Sequence, residues 1–212
     1  QFPSFTKDIL FADEYVVTTF LSIFSVGIGI GSMLCNRLLK GEVTGSFAAP
    51  AALGMAIFTI ALFVSSHFYE QALALHLAQK TPEFLAQNSF PFASIGEVMP
   101  LIEFLAVSPA SYCIIASLFL TALCGGIYIV PLYAIMQSRT DKNKTAQVIA
   151  GNNILNALFM VFSALFTLAL LALNWQVTEI FLAMGLCNFP IALLVRHIVK
   201  LEQAKRKGLP HA

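Results

Sequence analysis

The stretch that decides the fold is Tyr112–Met136, YCIIASLFLTALCGGIYIVPLYAIM. It holds no charged residue. A bilayer core about 30 Å thick takes roughly 20 apolar residues in helix. Membrane barrel strands are shorter and alternate apolar with polar residues. This run is contiguous, so it reads as a transmembrane helix. Working outward, four more uncharged runs surround it: Tyr15 to Asn36, Val43 to Tyr69, Thr145 to Thr178 and Ile180 to Val195. The expected spans are 15–36, 47–68, 111–137, 148–173 and 177–198, in an all-α membrane protein.

Composition agrees. Of 212 residues, 58% are hydrophobic and 11% charged, with a net charge of +1. Ordinary soluble domains are roughly 45–50% apolar and about 25% charged. So little charge does not cover a water-facing surface, and the hydrophobicity excludes a disordered chain. The net charge of +1 argues against a nucleic-acid partner, which needs a strongly basic face.

The charges orient the spans. Arg37 and Lys40 lie in the first loop, and Arg139, Lys142 and Lys144 in the third. Arg196, Lys200, Lys205, Arg206 and Lys207 follow the last span. Five spans put these ten basic residues on one side and leave Lys7 and Lys80 on the other. The positive-inside rule makes the ten-residue side cytoplasmic, with the C-terminus inside. The chain then divides into an exterior segment (1–14), two spans (15–68), a long exterior loop (69–110), three spans (111–199) and a basic tail (200–212). QFPSFTKDILFADE opens without an initiator methionine and is no signal peptide. It reads as the outer end of a preceding span in a larger protein, of which this chain is a fragment. In the long loop, Ala72, Leu73, His76 and Leu77 suggest a short amphipathic helix on the membrane, and 99–107 a second. Pro82, Pro91, Pro100 and Pro109 punctuate it.

Inside the spans, VGIGIGSML brings Gly27, Gly29 and Gly31 together. Small residues four apart let helix backbones approach closely in lipid. Two readings stand, tight packing and a smooth face that slides. Ala48, Ala52 and Ala56 repeat the pattern. Gly125, Gly126 and Pro131 mark a bend, either a static kink or the broken helix of a transport pathway. Polar residues cluster at one depth: Tyr128, Tyr133 and Gln137 in the third span, Asn152, Asn153 and Asn156 in the fourth. They form either interhelical hydrogen bonds or the polar lining of an inner mouth. No Asp, Glu, Lys or Arg sits at the centre of a span, so no ion-coupling group is visible.

No HExxH, GxSxG or phosphate-binding glycine loop is present, and the expectation is no enzyme and no cofactor. Cys35, Cys113, Cys124 and Cys187 lack the spacing of a metal site and read as small apolar helix residues. His67 and His76 lack a third ligand.

Two groups of residues resemble a known family. SMLCNRLLKGEV resembles the major facilitator loop motif G-x-L-x-D-R-x-G-R-K. Leu34 and Arg37 match it, and Lys40 keeps the charge of the second Arg. Ser32 replaces the first Gly, Asn36 the Asp and Leu39 the second Gly. GGIYIVPLYAIMQSRT and AQVIAGNNILNALFMV resemble the C-terminal half of facilitator proteins associated with lysophospholipid transport. The residues are Pro131, Leu132, Ala134, Gln137, Asn152, Asn153 and Asn156. FSVGIGIGSMLCNRL is similar to the same group.

The resemblance implies spans eight to twelve of a major-facilitator-type C-terminal half-bundle. It implies a transporter of lysophospholipid across the bacterial inner membrane. Its expected partners are membrane lipids and the N-terminal half of the same protein. Arg37 is expected to tie helix ends together. The alternatives are a drug or metabolite exporter of the same superfamily, or the membrane anchor of a phospholipid acyltransferase domain or partner.

Overall fold

The computed structural model describes residues 6, 10, 12–39, 45–80, 100–141 and 143–208. The described chain is all-helical: α1 Glu14–Leu39, α2 Ala48–Lys80, α3 Leu101–Val107, α4 Ala110–Arg139, α5 Thr145–Ala172 and α6 Val177–Gly208. All but α3 are long and apolar enough to cross a membrane. The chain is therefore a multi-pass membrane protein. In hydrocarbon a backbone N–H finds its partner only within its own helix, which is why uncharged runs of this length fold this way. The same demand is met by side chains: the hydroxyls of Thr18, Thr19, Ser22, Ser65, Ser66 and Thr121 each donate to the carbonyl four residues back.

Contacts between the long helices run in the order α1, α4, α2, α6. The α1–α4 contact is backbone to backbone. A Cβ added at Gly31 would strike the Leu123 carbonyl oxygen, and one at Gly126 would lie 2.5 Å from the Ile28 oxygen. Gly27 would meet the Phe119 oxygen at 2.9 Å. These glycines allow the two parallel helices to touch. The α2–α6 contact uses the small stripe: Ala48, Ala52 and Ala56 are buried, and a Cβ at Gly185 would lie 2.8 Å from Ile60 and 3.3 Å from the Ala56 oxygen.

The spans alternate in direction, so Arg37, Arg139, Lys144, Arg196 and Lys200 come to one end of the molecule. Lys7, Lys40 and Lys142 lie outside the described residues. At the opposite end a hydrophobic core closes the bundle. Phe104 is fully buried, its ring edge-on to Phe20 at 5.8 Å and tilted against Tyr69 at 5.1 Å. Leu10 and Ala12, ahead of α1, are buried in or beside the same core. The Ser111 hydroxyl donates to the Phe104 carbonyl at 2.6 Å, fixing α3 to the start of α4.

Two expectations about the 69–110 loop need correction. Residues 69–80 continue α2 as one unbroken helix. Nothing between Tyr69 and Pro82 breaks a helix, and Tyr69 and Leu73, one turn apart, are both buried in this core. Leu73 therefore does not lie on a membrane surface. The second expected surface helix, α3, instead drives Phe104 between its neighbours. Pro82, Pro91 and Met99 lie outside the described residues. The basic tail begins as helix, with α6 running to Gly208.

The fourth span stands apart. No residue of α5 is buried, and its contacts with the bundle are few. Its far end is nevertheless sharply built. Asn174 takes a left-handed φ of 63°, and the N–H groups of Asn174 and Trp175 donate to Leu171 and Leu170. This is a Schellman stop with Asn in the glycine position. Glu179 then accepts from the Gln176 N–H at 2.9 Å, half of a capping box that starts α6.

Candidate functional site

Where α5 does meet the bundle, the contact is polar. The Asn152 Nδ2 donates to the Tyr133 hydroxyl oxygen at 2.9 Å, and the Asn156 Nδ2 donates to the same oxygen at 3.2 Å. Asn152 and Asn156 are one turn apart and share a face. The oxygen of Tyr133 has two acceptor sites, and both amides use it. Tyr133 thus bridges α4 to two successive turns of α5, at the basic end of the spans. Each asparagine keeps its carbonyl oxygen as an acceptor.

The other expected polar residues do not join this bridge. Gln137 lies one turn beyond Tyr133 and is exposed, and Asn153 is exposed on α5. Tyr128 is half-buried and sits about 140° round α4 from Tyr133, since each residue turns the helix by about 100°. Beyond the bridge the sides of α5 are largely apolar and open, with Phe159, Met160, Phe162 and Phe166 all more than half exposed.

Gly27, Gly31 and Gly126 lie at the α1–α4 contact. Gly29 does not: nothing stands within 4 Å of a Cβ built there. Two residues along a helix is about 200°, so Gly29 faces away from its two neighbours. Gly125 is also roomy, with only the Met55 sulfur at 4.0 Å. α4 stays one helix through Gly125, Gly126 and Pro131, and Pro131 is buried.

In the loop-motif region, Leu34, Asn36 and Arg37 are exposed in the last turns of α1. Arg37 makes no hydrogen bond or ion pair with another described residue, so the expected tie between helix ends is not made there. The Ser32 hydroxyl donates to its own helix at the Ile28 oxygen, 2.8 Å, leaving its backbone close to Gly126.

A feature that gave no sequence signal is an apolar cavity of about 280 Å³ where α1, α2, α4 and α6 meet. Phe24, Leu62, Leu118, Phe181 and Met184 wall it, with the hydroxyl-bearing Thr59 and Thr121. Its residues come from four separate runs, each apolar like its surroundings. Thr121 and Tyr133 are twelve residues apart on α4, about 18 Å along the axis and on different faces. The cavity and the Tyr133 bridge are therefore distinct places.

Among the described residues no group of three His, Cys, Asp or Glu side chains is placed to hold a metal. The four cysteines are free thiols, Cys35 and Cys124 buried, Cys113 and Cys187 exposed. His67 contacts Gln71 at 3.1 Å and Glu70 at 3.9 Å on an exposed side of α2. No family model, curated protein or solved structure matches the chain.

Proposed function

We propose that the chain is part of a membrane transporter of the major facilitator type that moves lysophospholipid across a bacterial inner membrane by alternating access. The basic loops and the C-terminus face the cytoplasm in this reading. The observation that carries it is α5, a helix with no buried residue that is joined to the bundle by the Tyr133–Asn152–Asn156 bridge. A lysophospholipid is an apolar chain with a polar head. The open sides of α5 suit the chain, and the asparagine carbonyls at its basic end suit donors on the head. The absence of charge at the centre of the spans favours facilitated movement over proton coupling. The α1–α4 and α2–α6 contacts, made through small residues, suit a body that moves as a unit against another half.

The test uses the full-length protein in proteoliposomes, with labelled lysophosphatidylethanolamine and with or without a proton gradient. Movement of the lipid without a gradient is expected. Movement only of soluble drugs or metabolites, driven by the gradient, would place the protein among exporters. No movement by well-inserted protein would favour an anchor for a partner acyltransferase.

A further inference from the structure

At the basic end, a cleft of about 330 Å³ lies between the start of α2 and residues 192–200 of α6. Its two levels differ in chemistry. Ala49 and Leu53 on α2 and Leu193 on α6 form apolar walls, and Leu53 and Leu193 also face outward. Arg196 and Lys200, one turn apart on α6, line the same cleft nearer the end of the helix. Among the described residues no acidic one lines it. Neither cation makes a hydrogen bond or ion pair with another described residue. The mouth is bounded by close packing: a Cβ at Gly45, three residues before α2, would meet the side chains of Val199 at 3.3 Å and Ile135 at 3.4 Å. The entry to α2 is thereby seated against both α6 and α4.

Two cations with no acidic partner among the described residues, set above walls whose Leu53 and Leu193 are exposed, complement an anionic head on an apolar chain. We propose that this cleft binds an anionic phospholipid of the surrounding leaflet, its phosphate on Arg196 and Lys200 and its acyl chains along Leu53 and Leu193. A lipid with a cationic headgroup brings a charge of its own to the phosphate and gains less. Arg196 and Lys200 share one cavity wall, which offers a single phosphate two cations. The bound lipid joins the start of α2 to α6, and it does not depend on what the protein carries.

The experiment reconstitutes the full chain in phosphatidylcholine bilayers and measures the relative association of spin-labelled phosphatidylglycerol and phosphatidylcholine. The wild type is expected to prefer the anionic lipid. Each of Arg196→Gln and Lys200→Gln should lower that preference about fivefold, the attraction of one cation near a membrane surface. Lys144→Gln, at the same end but outside the cleft, should lower it less than either. The charge-preserving Arg196→Lys/Lys200→Arg variant should keep it, which separates charge from misfolding. Excess glycerol phosphate should not displace the lipid. An unchanged preference in the Gln variants, equal loss in Lys144→Gln, or displacement by glycerol phosphate would each overturn the proposal, the last by assigning the site to a soluble phosphate compound.

Discussion

Gly125 and Gly126 are neighbours on α4, and the same substitution should have different effects at the two. A Cβ at Gly126 would lie 2.5 Å from the Ile28 oxygen, 2.9 Å from the Ser32 nitrogen and 3.1 Å from the Gly31 carbonyl carbon. All three atoms are backbone, so no rotamer change relieves the contact. Ordinary contact begins near 3.4 Å, so α1 and α4 must separate by about 1 Å at their crossing. A gap of that size forfeits a quarter to a half of each dispersion contact. In lipid, where packing rather than water drives helix association, that loss is felt directly. The overpacking cost is about 1–3 kcal/mol. Gly125→Ala meets only the Met55 sulfur at 4.0 Å. Both variants gain the same helix propensity, about 1 kcal/mol, so their difference isolates the contact. Denaturant unfolding in bicelles should therefore find Gly126→Ala less stable than Gly125→Ala by about 1–3 kcal/mol. Stabilities that agree within about 0.5 kcal/mol would refute the close α1–α4 crossing.

Further outcomes follow from the same geometry. Tyr133→Phe removes the one acceptor shared by Asn152 and Asn156; at about 0.6 kcal/mol per bond in membranes it should weaken the docking of α5 by about 1 kcal/mol, read as a broadened distance between spin labels on α4 and α5. Phe104→Ala empties the core between Phe20 and Tyr69 and should cost about 3–5 kcal/mol, with a cysteine placed at Val16 becoming reactive to an impermeant maleimide. Asn174→Val puts a β-branched side chain at φ 63° and should cost about 1–3 kcal/mol, whereas Asn174→Gly should be tolerated in the same unfolding assay.

The spans were legible because charge is so expensive in hydrocarbon that its absence marks them. Helix ends were less so. The expected second span stopped before Glu70, the first charge after it, but a helix that leaves the membrane needs only the absence of breakers to continue, and α2 runs on to Lys80. The standing of α5 was not legible at all. The α4 and α5 runs have equal mean hydropathy, yet a third of the α4 window is buried and none of the α5 window. Hydropathy reports transfer from water and does not distinguish lipid from protein as the neighbour. At the candidate site, the helical repeat that pairs Asn152 with Asn156 was readable from spacing. That repeat also sets Gly29 opposite Gly27 and Gly31, and Tyr128 away from Tyr133. The choice of Tyr133 as the shared acceptor depends on how α4 and α5 meet, which no single run encodes. The four-helix cavity and the Arg196–Lys200 cleft share that property.

The most direct measurement is lysophosphatidylethanolamine flux through correctly inserted Asn156→Leu protein in inverted membrane vesicles. The account expects flux well below that of the wild type at equal protein level, because the bridge that positions the basic end of α5 loses one of its two donors and the polar head loses an acceptor. Wild-type flux in that variant would contradict it.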